Sequence, residues 1–230
     1  MKAADVMATN VITVGPEDRV AEVAQVLVSN RISAVPVVDD TGKIVGVVSE
    51  GDLIRRVESG TEHRRAWWLD LVASRADLAA EYVKERGPRA RDVMTGKVVT
   101  VSPDTDLAEI ANLLEAHTIK RVPVVEDGKL VGIVSRANLI QALAALHSQL
   151  PAATTTDDAL LRDKVLNRLR SESWTPMLLN VIVKDGRIGL WGFVRSEEER
   201  NAARVAAETA DGIRPVDDNL IVMRAGLMGA

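Results

Sequence analysis

The chain has 230 residues and a net charge of −4, with acids slightly outnumbering bases, which argues against a surface built for nucleic acid. It has no cysteine, which excludes disulfides, thiolate metal sites and cysteine nucleophiles. The first twenty residues lack an apolar run of signal-peptide form, and no stretch approaches the roughly 20 apolar residues of a spanning helix, so a cytoplasmic protein of one or two domains is expected.

The chain opens on Asp5-Val6-Met7, a triplet that returns as Asp92-Val93-Met94. An extended piece, Val11–Val14, runs into Gly15-Pro16 and a pair of acids, where proline suits a first helical turn. Val20, Val23, Ala24, Leu27 and Val28 then recur at helical spacing. Two short strands follow, Ala34–Val38 and Ile44–Val48, joined by an Asp-Asp-Thr-Gly turn. Ser49 opens a second helix. The whole pattern from Ala4 to Ile54 recurs from Arg91 to Ile140. There Val98–Val101 is the extended piece, Leu107, Ile110, Ala111 and Leu114 mark the helix, and Val122-Pro123-Val124-Val125 matches Val35-Pro36-Val37-Val38. Omitting Thr41 keeps the copies in step. Their offset exceeds a solenoid period, so this is a duplicated β-α-β-β-α subdomain.

Between the copies, Trp67, Leu71, Leu78 and Tyr82 fall at helical spacing among charges, predicting a helical insert over 56–88. Trp67 and Trp68 suit either packing on the module's own helices or a lid or subunit contact. A small, polar, proline-initiated stretch at 148–156 reads as a linker. Beyond it, Leu160, Leu161, Val165 and Leu169 predict a helix, and Leu179–Val183 and Ile188–Val194 flank a Lys-Asp-Gly turn as a hairpin. Ser196 with Glu198 and Glu199 starts a further helix, whose Ala202, Ala203, Val205, Ala206 and Ala207 give it a close-packing face. A last strand ends near 224. The fold class expected is α+β, with segments 1–55, 56–88, 89–147, 148–156, 157–224 and a tail at 225–230.

Enzyme motifs are missing. "GVVSEG" sets its serine one place late for a nucleophile elbow, and no phosphate-binding glycine loop or zinc-binding helix motif occurs. His63, His117 and His147 lie far apart. No catalytic residue and no metal site is expected. What stands out is Ser49-Glu50-Gly51-Asp52, against Ser135-Arg136-Ala137-Asn138 in the second copy. The spacing is that of a capping box. A serine at a strand end, an acid three residues on and a glycine in the first turn also suit a ligand bearing hydroxyls and phosphate. Both readings stay open on the residues alone.

The repeated half, through "DVM", "SAVPVVD", "GKIVGVVSEGDLI" and "KRVPVVEDGKLVGIVSRANLI", closely resembles a tandem pair of CBS domains, or Bateman module. That resemblance implies a regulatory module binding adenosine nucleotides (AMP, ADP or ATP, with S-adenosylmethionine an alternative) in clefts between the copies. It also implies a homodimer. It leaves open whether magnesium accompanies the ligand, and it implies no obligatory cofactor. In the family the Ser/Thr and the Asp of the motif hold ribose and phosphate. Carried over, Ser49 and Asp52 face Val98, Val99, Lys120, Arg121 and Val122 in one cleft. A second, weaker cleft takes Asn10, Ile12, Arg31, Ile32, Ala34, Ser135 and Asn138, its neutral amide replacing the acid.

The last part resembles a BON domain, carried by "IGLWGFVRSEEERNAARVAAETADGIRPVDDNLIV" with Gly192, Gly212-Ile213, Val216 and Asn219. This implies a small α-β-β-α-β domain serving as an interaction or output module toward a protein or a phospholipid surface. Gly192 is also explained by close approach of a helix to a strand. A nucleotide sensor is thus expected, against a ligand-free adaptor working through self-association and its BON domain.

Overall fold

The computed structural model describes residues 1–54, 82–146, 157–176, 179–212 and 214–223. Trp67, Trp68, Leu71 and Leu78, the linker at 148–156, the tail and Ile213 lie outside them. In chain order the elements are α1 (Ala3–Val6), α2 (Val20–Asn30), β1 (Ala34–Val38), β2 (Ile44–Ser49), α3 (Glu50–Ile54) and α4 (Ala90–Val93). Then come α5 (Leu107–Ala116), β3 (Arg121–Glu126), β4 (Lys129–Ser135) and α6 (Arg136–Leu146), followed by α7 (Asp158–Arg170), β5 (Leu179–Lys184), β6 (Arg187–Val194), α8 (Glu197–Glu208) and β7 (Val216–Val222). The class is α+β. Two compact units result: Ile12–Val99 with Glu126–Leu130, and Met1–Val11 with Thr100–Val125 and Val131–Ala230. Each repeat copy thus sends its leading segment into the unit built on the other.

In the unit of the first copy, β1 and β2 pair antiparallel with Val35 opposite Val48. Asp39 Oδ1 fastens their turn, accepting from the Thr41 N–H (2.9 Å), Thr41 Oγ1 (2.6 Å) and the Lys43 N–H (3.0 Å). Val23, Leu27, Val35, Val37 and Val48 form the core with Ala90 and Val93 of α4. The short helix α4 is held by Asp92, which accepts the Arg89 N–H at 3.0 Å, and by Ala90 N–H to Asp18 O and Arg91 N–H to Pro16 O. In the other unit Asp5 plays the same part in α1, accepting the Lys2 N–H at 2.7 Å, and the Ala3 and Ala4 N–H groups bond Thr105 O and Pro103 O. The recurring Asp-Val-Met triplet is therefore part of a one-turn helix with a self-supplied cap.

The leading extended pieces are shorter as strands than expected. Val14 and Val101 each make a single parallel bridge, to Val37 and Val124. The Val14 N–H bonds Pro36 O and the Val38 N–H bonds Val14 O; Val101 does the same with Pro123 and Val125. The next ladder bond would need an N–H from Pro36 or Pro123, and proline has none. The proline that marks the duplication also ends the strand.

In the second unit, α1 buries Ala3 and Val6, α5 buries Ile110 and Leu114, and β3 and β4 form a two-stranded sheet. Their turn places Asp127 and Gly128 at positive φ (49° and 78°), as a two-residue hairpin requires. The same unit holds a three-stranded sheet in the order β5-β6-β7, with β5 and β6 antiparallel and β6 and β7 parallel across α8. Leu161, Val165 and Leu169 of α7, Val181, Ile188 and Leu190 of the sheet, and Ala203 and Ala207 of α8 are its core. Asp157 caps α7, and Ser196 Oγ accepts the Glu199 N–H at 3.3 Å to cap α8. Gly192 sits at φ 134°, so its own backbone conformation calls for glycine without invoking an approaching helix.

Four apolar residues expected on buried helix faces lie outward. Val28 is 74% exposed, Leu160 54% and Val205 47%, and Ala111 is also exposed. Sheets of two or three strands cover only a narrow helical stripe, so the flanks of each apolar face stay in water.

Candidate functional site

Ser49 is the last residue of β2 and Glu50 the first of α3, with the Glu50 N–H bonded to Ser33 O at 3.0 Å. That first helical donor is therefore already paired. The Asp52 carboxylate turns back on the serine. Its Oδ2 accepts from the Ser49 N–H at 2.9 Å and from Ser49 Oγ at 2.6 Å. Its Oδ1 stands 3.5 Å from Lys84 Nζ, in a helical stretch at 82–86, and the Asp52 side chain is 15% exposed. Gly51 is exposed, and a Cβ there would meet Ser49 Oγ at 3.5 Å, an ordinary contact, so packing does not require the glycine.

The second copy reproduces the cap. Asn138 Oδ1 accepts from the Ser135 N–H at 2.8 Å and from Ser135 Oγ at 2.7 Å, and the Asn138 N–H reaches Ser135 Oγ at 3.4 Å. The Arg136 N–H bonds Lys120 O as Glu50 bonds Ser33 O. Capping thus accounts for serine and an i+3 acceptor in both copies. It does not account for acid in one and amide in the other. The third partner differs: Lys84 beside Asp52, Gln141 Oε1 at 3.3 Å from Asn138 Nδ2. Asn138 is buried, at 7% exposure.

Each motif strand is flanked, within its own unit, by the leading segment of the other copy. Thr95 bridges Val47, and Ala8 bridges Ile133. The contact is tight because β2 and β4 offer glycine there: Met94 lies over Gly46 and Met7 over Gly132. The unit holding Ser49 and Asp52 also contains Val98 and Val99, both half-buried. Lys120, exposed, Arg121, half-buried at the start of β3, and Val122, fully buried, belong to the other unit. Val122 has its side chain in the core, so only its main chain remains to face a ligand. For the second set, Ser135 and Asn138 share a unit with Asn10, which is exposed. Ile12, Arg31, Ile32 and Ala34 belong to the unit of the first copy. There Ile32 packs on the core, Ala34 is 9% exposed, and Arg31 is the exposed left-handed cap of α2 at φ 52°. Lys84 and Met94 escape sequence reasoning, since each reaches the motif strand and its helix from a distance that no local spacing encodes, whereas Gln141 lies only three residues beyond Asn138.

Among the described residues, no cluster of three or more His, Asp or Glu is placed to hold a metal ion, and no helix is long and apolar enough to cross a membrane.

Comparison with known proteins agrees with this architecture. The CBS-domain family model matches residues 3–59 and 90–145, and the BON-domain model matches residues 157–224. The uncharacterized protein MJ1426 of Methanocaldococcus jannaschii is 35% identical over 143 residues, which span 57% of this chain and 85% of that protein. The chloroplastic CBS domain-containing protein CBSX1 of Arabidopsis thaliana is 34% identical over 139 residues, 56% of this chain and 57% of that one. A solved structure of CBSX2, a protein of the same plant, in complex with AMP is 31% identical, covers 65% of this chain and 99% of that chain, and superposes with a TM-score of 0.54. With the duplicated motif, the exchanged leading segments and the matched residues in agreement, this chain belongs to the CBS-domain family, as a tandem CBS pair followed by a BON domain.

Proposed function

We propose that this chain is a non-catalytic regulatory protein whose CBS pair binds an adenosine nucleotide, with Ser49 and Asp52 as its anchor and the BON domain as its output. The observation that carries the reading is the Asp52 carboxylate. One oxygen is fixed by Ser49, and the other lies beside Lys84 next to a glycine that packing does not demand. A fixed carboxylate accepts from ribose hydroxyls through charge-assisted bonds, roughly twice as strong as neutral ones. Val98 and Val99, which belong to the same unit as Ser49 and Asp52, supply apolar surface for a base. The likeness to CBSX2, solved with AMP, supports the ligand class.

Titration calorimetry and thermal melting of the full chain with AMP, ADP, ATP and S-adenosylmethionine test this. A ligand at 100 times its Kd adds about 2.7 kcal/mol of stability. Asp52→Ala removes that gain. Absence of heat and of any melting shift with all four at millimolar concentration overturns the reading in favour of a ligand-free adaptor.

A further inference from the structure

Within one unit, the BON domain meets the second CBS copy and the first copy's leading segment through buried polar groups. Asn180 of β5 is 5% exposed, and its Nδ2 donates to Val6 O at 3.1 Å and to Gln141 Oε1 at 3.0 Å. Gln141 Oε1 also accepts Asn138 Nδ2 at 3.3 Å, while Asn138 Oδ1 accepts from Ser135. Three amides therefore run in series from the second copy's motif to the BON sheet. Both ends of the series are main chain. The Ser135 N–H can only donate and the Val6 carbonyl can only accept. No concerted flip of the amides satisfies both ends in another order. Position 138 must offer an acceptor toward Ser135 and a donor toward Gln141. A carboxylate offers only the first. Alongside, Arg162 of α7, 6% exposed, donates through Nε to Val181 O at 2.8 Å and through Nη2 to Met7 O at 2.7 Å, bracing the same corner.

We propose that the second copy's motif is the anchor of the BON domain, with Asn138 dictated by the Asn138–Gln141–Asn180 amide series and not by a ligand. The duplicated motif has divided its labour: Ser49 and Asp52 sense, Ser135 and Asn138 hold the output domain. The anchoring stands on its own, and only the sensing half rests on the function proposed above.

Hydrogen exchange and chemical denaturation of the full chain decide it, with Asn138→Asp, Asn138→Ala, Asn180→Ala and the double alanine variant. Asn138→Asp is expected to lower protection at residues 161–169 and 181–183 by about tenfold, more than Asn138→Ala does, and to spare residues 35–37. The two alanine changes are expected to be non-additive. Wild-type protection in Asn138→Asp, or additivity of the alanine pair, overturns the anchor; if Asn138→Asp does not fold, the alanine cycle decides alone. AMP calorimetry on Asn138→Ala is expected to match wild type. A loss of AMP affinity equal to that of Asp52→Ala overturns the division of labour, whereas a wild-type chain that ignores AMP counts against the proposed function and leaves the anchor standing.

Discussion

Met7 fills the space in which a side chain at Gly132 would lie: a Cβ there would stand 2.4 Å from Met7 Sδ and 3.2 Å from Ala8 O. Met94 and Gly46 repeat the relationship at 2.3 Å. Gly132→Ala and Gly46→Ala should each destabilise by about 1–3 kcal/mol through overpacking. Denaturant titration checks this, and trimming the methionine (Met7→Ala or Met94→Ala) in the glycine variant should recover part of the loss. Unchanged midpoints would show that the methionines move aside freely.

Asp52 carries two separable tasks. Asp52→Ala leaves the Ser49 N–H without its acceptor, at a cost of about 1 kcal/mol. Asp52→Asn keeps the acceptor, so its stability should stay near wild type while AMP affinity falls. Parallel melting and calorimetry separate the two, and equal AMP affinity in Asp52→Asn would remove the charge from the binding argument.

Arg162 is a buried cation that donates to two main-chain carbonyls, and burial lowers its guanidinium to a pKa of about 10. Arg162→Met strands Val181 O and Met7 O, an expected loss of about 1–3 kcal/mol per buried group left unpaired. Arg162→Lys should not restore it, because a single ammonium lacks the planar fork that reaches both. Full recovery in the lysine variant would mean that charge alone matters here.

Gly192 should resist replacement for a backbone reason. At φ 134° any other residue is strained, and Gly192→Ala should cost about 1–3 kcal/mol. A crystal structure of that variant with β6 and β7 still in register, at unchanged stability, would contradict this.

Acid should loosen the BON domain through one traceable pair. Asp211 accepts from Lys164 Nζ at 2.6 Å, and this bond holds its carboxyl below the ordinary value of 3.8. The unfolded chain then binds the proton more readily than the folded one, so stability from this pair is present above 3.8 and is lost as pH falls through the lower folded value. Both groups are exposed enough for salt to weaken the effect. Lys164→Ala should flatten that acid limb in pH-dependent melting, and an unaltered limb would place the acid sensitivity elsewhere.

The duplication, the hairpins and both caps were legible in the sequence because each rests on residues a few positions apart. Asp39 and its turn, or Ser196 with Glu199, declare themselves in this way. Burial was legible for Val23 and Leu27 but not for Val28, since periodicity marks an apolar face without saying how much sheet lies beneath it. The lost ladder bond at Pro36 was readable in principle, from proline's missing donor. The motif is legible in its spacing, but the residues that tie it to the rest of the fold are not. Lys84 and Asn180 lie 32 and 39 residues from Asp52 and Gln141, and only the fold brings them within reach. The difference between Asp52 and Asn138 is legible in the sequence, whereas the difference between their neighbours, Lys84 and Gln141, appears only in the fold.

The exchanged leading segments also set a timetable for the growing polypeptide. Translation at about 5–20 residues per second delivers β1 and β2 seconds before Ala90 and Val93, the residues that close their core. Met1–Val11, made first, must wait still longer for Thr100–Val125. A nascent chain paused after Ile54 is expected to expose Val35 and Val37 and to be cleaved readily by protease, with resistance arriving only once residue 99 has emerged. Neither copy can complete its core from its own residues alone, so synthesis of the first copy is not followed at once by its folding.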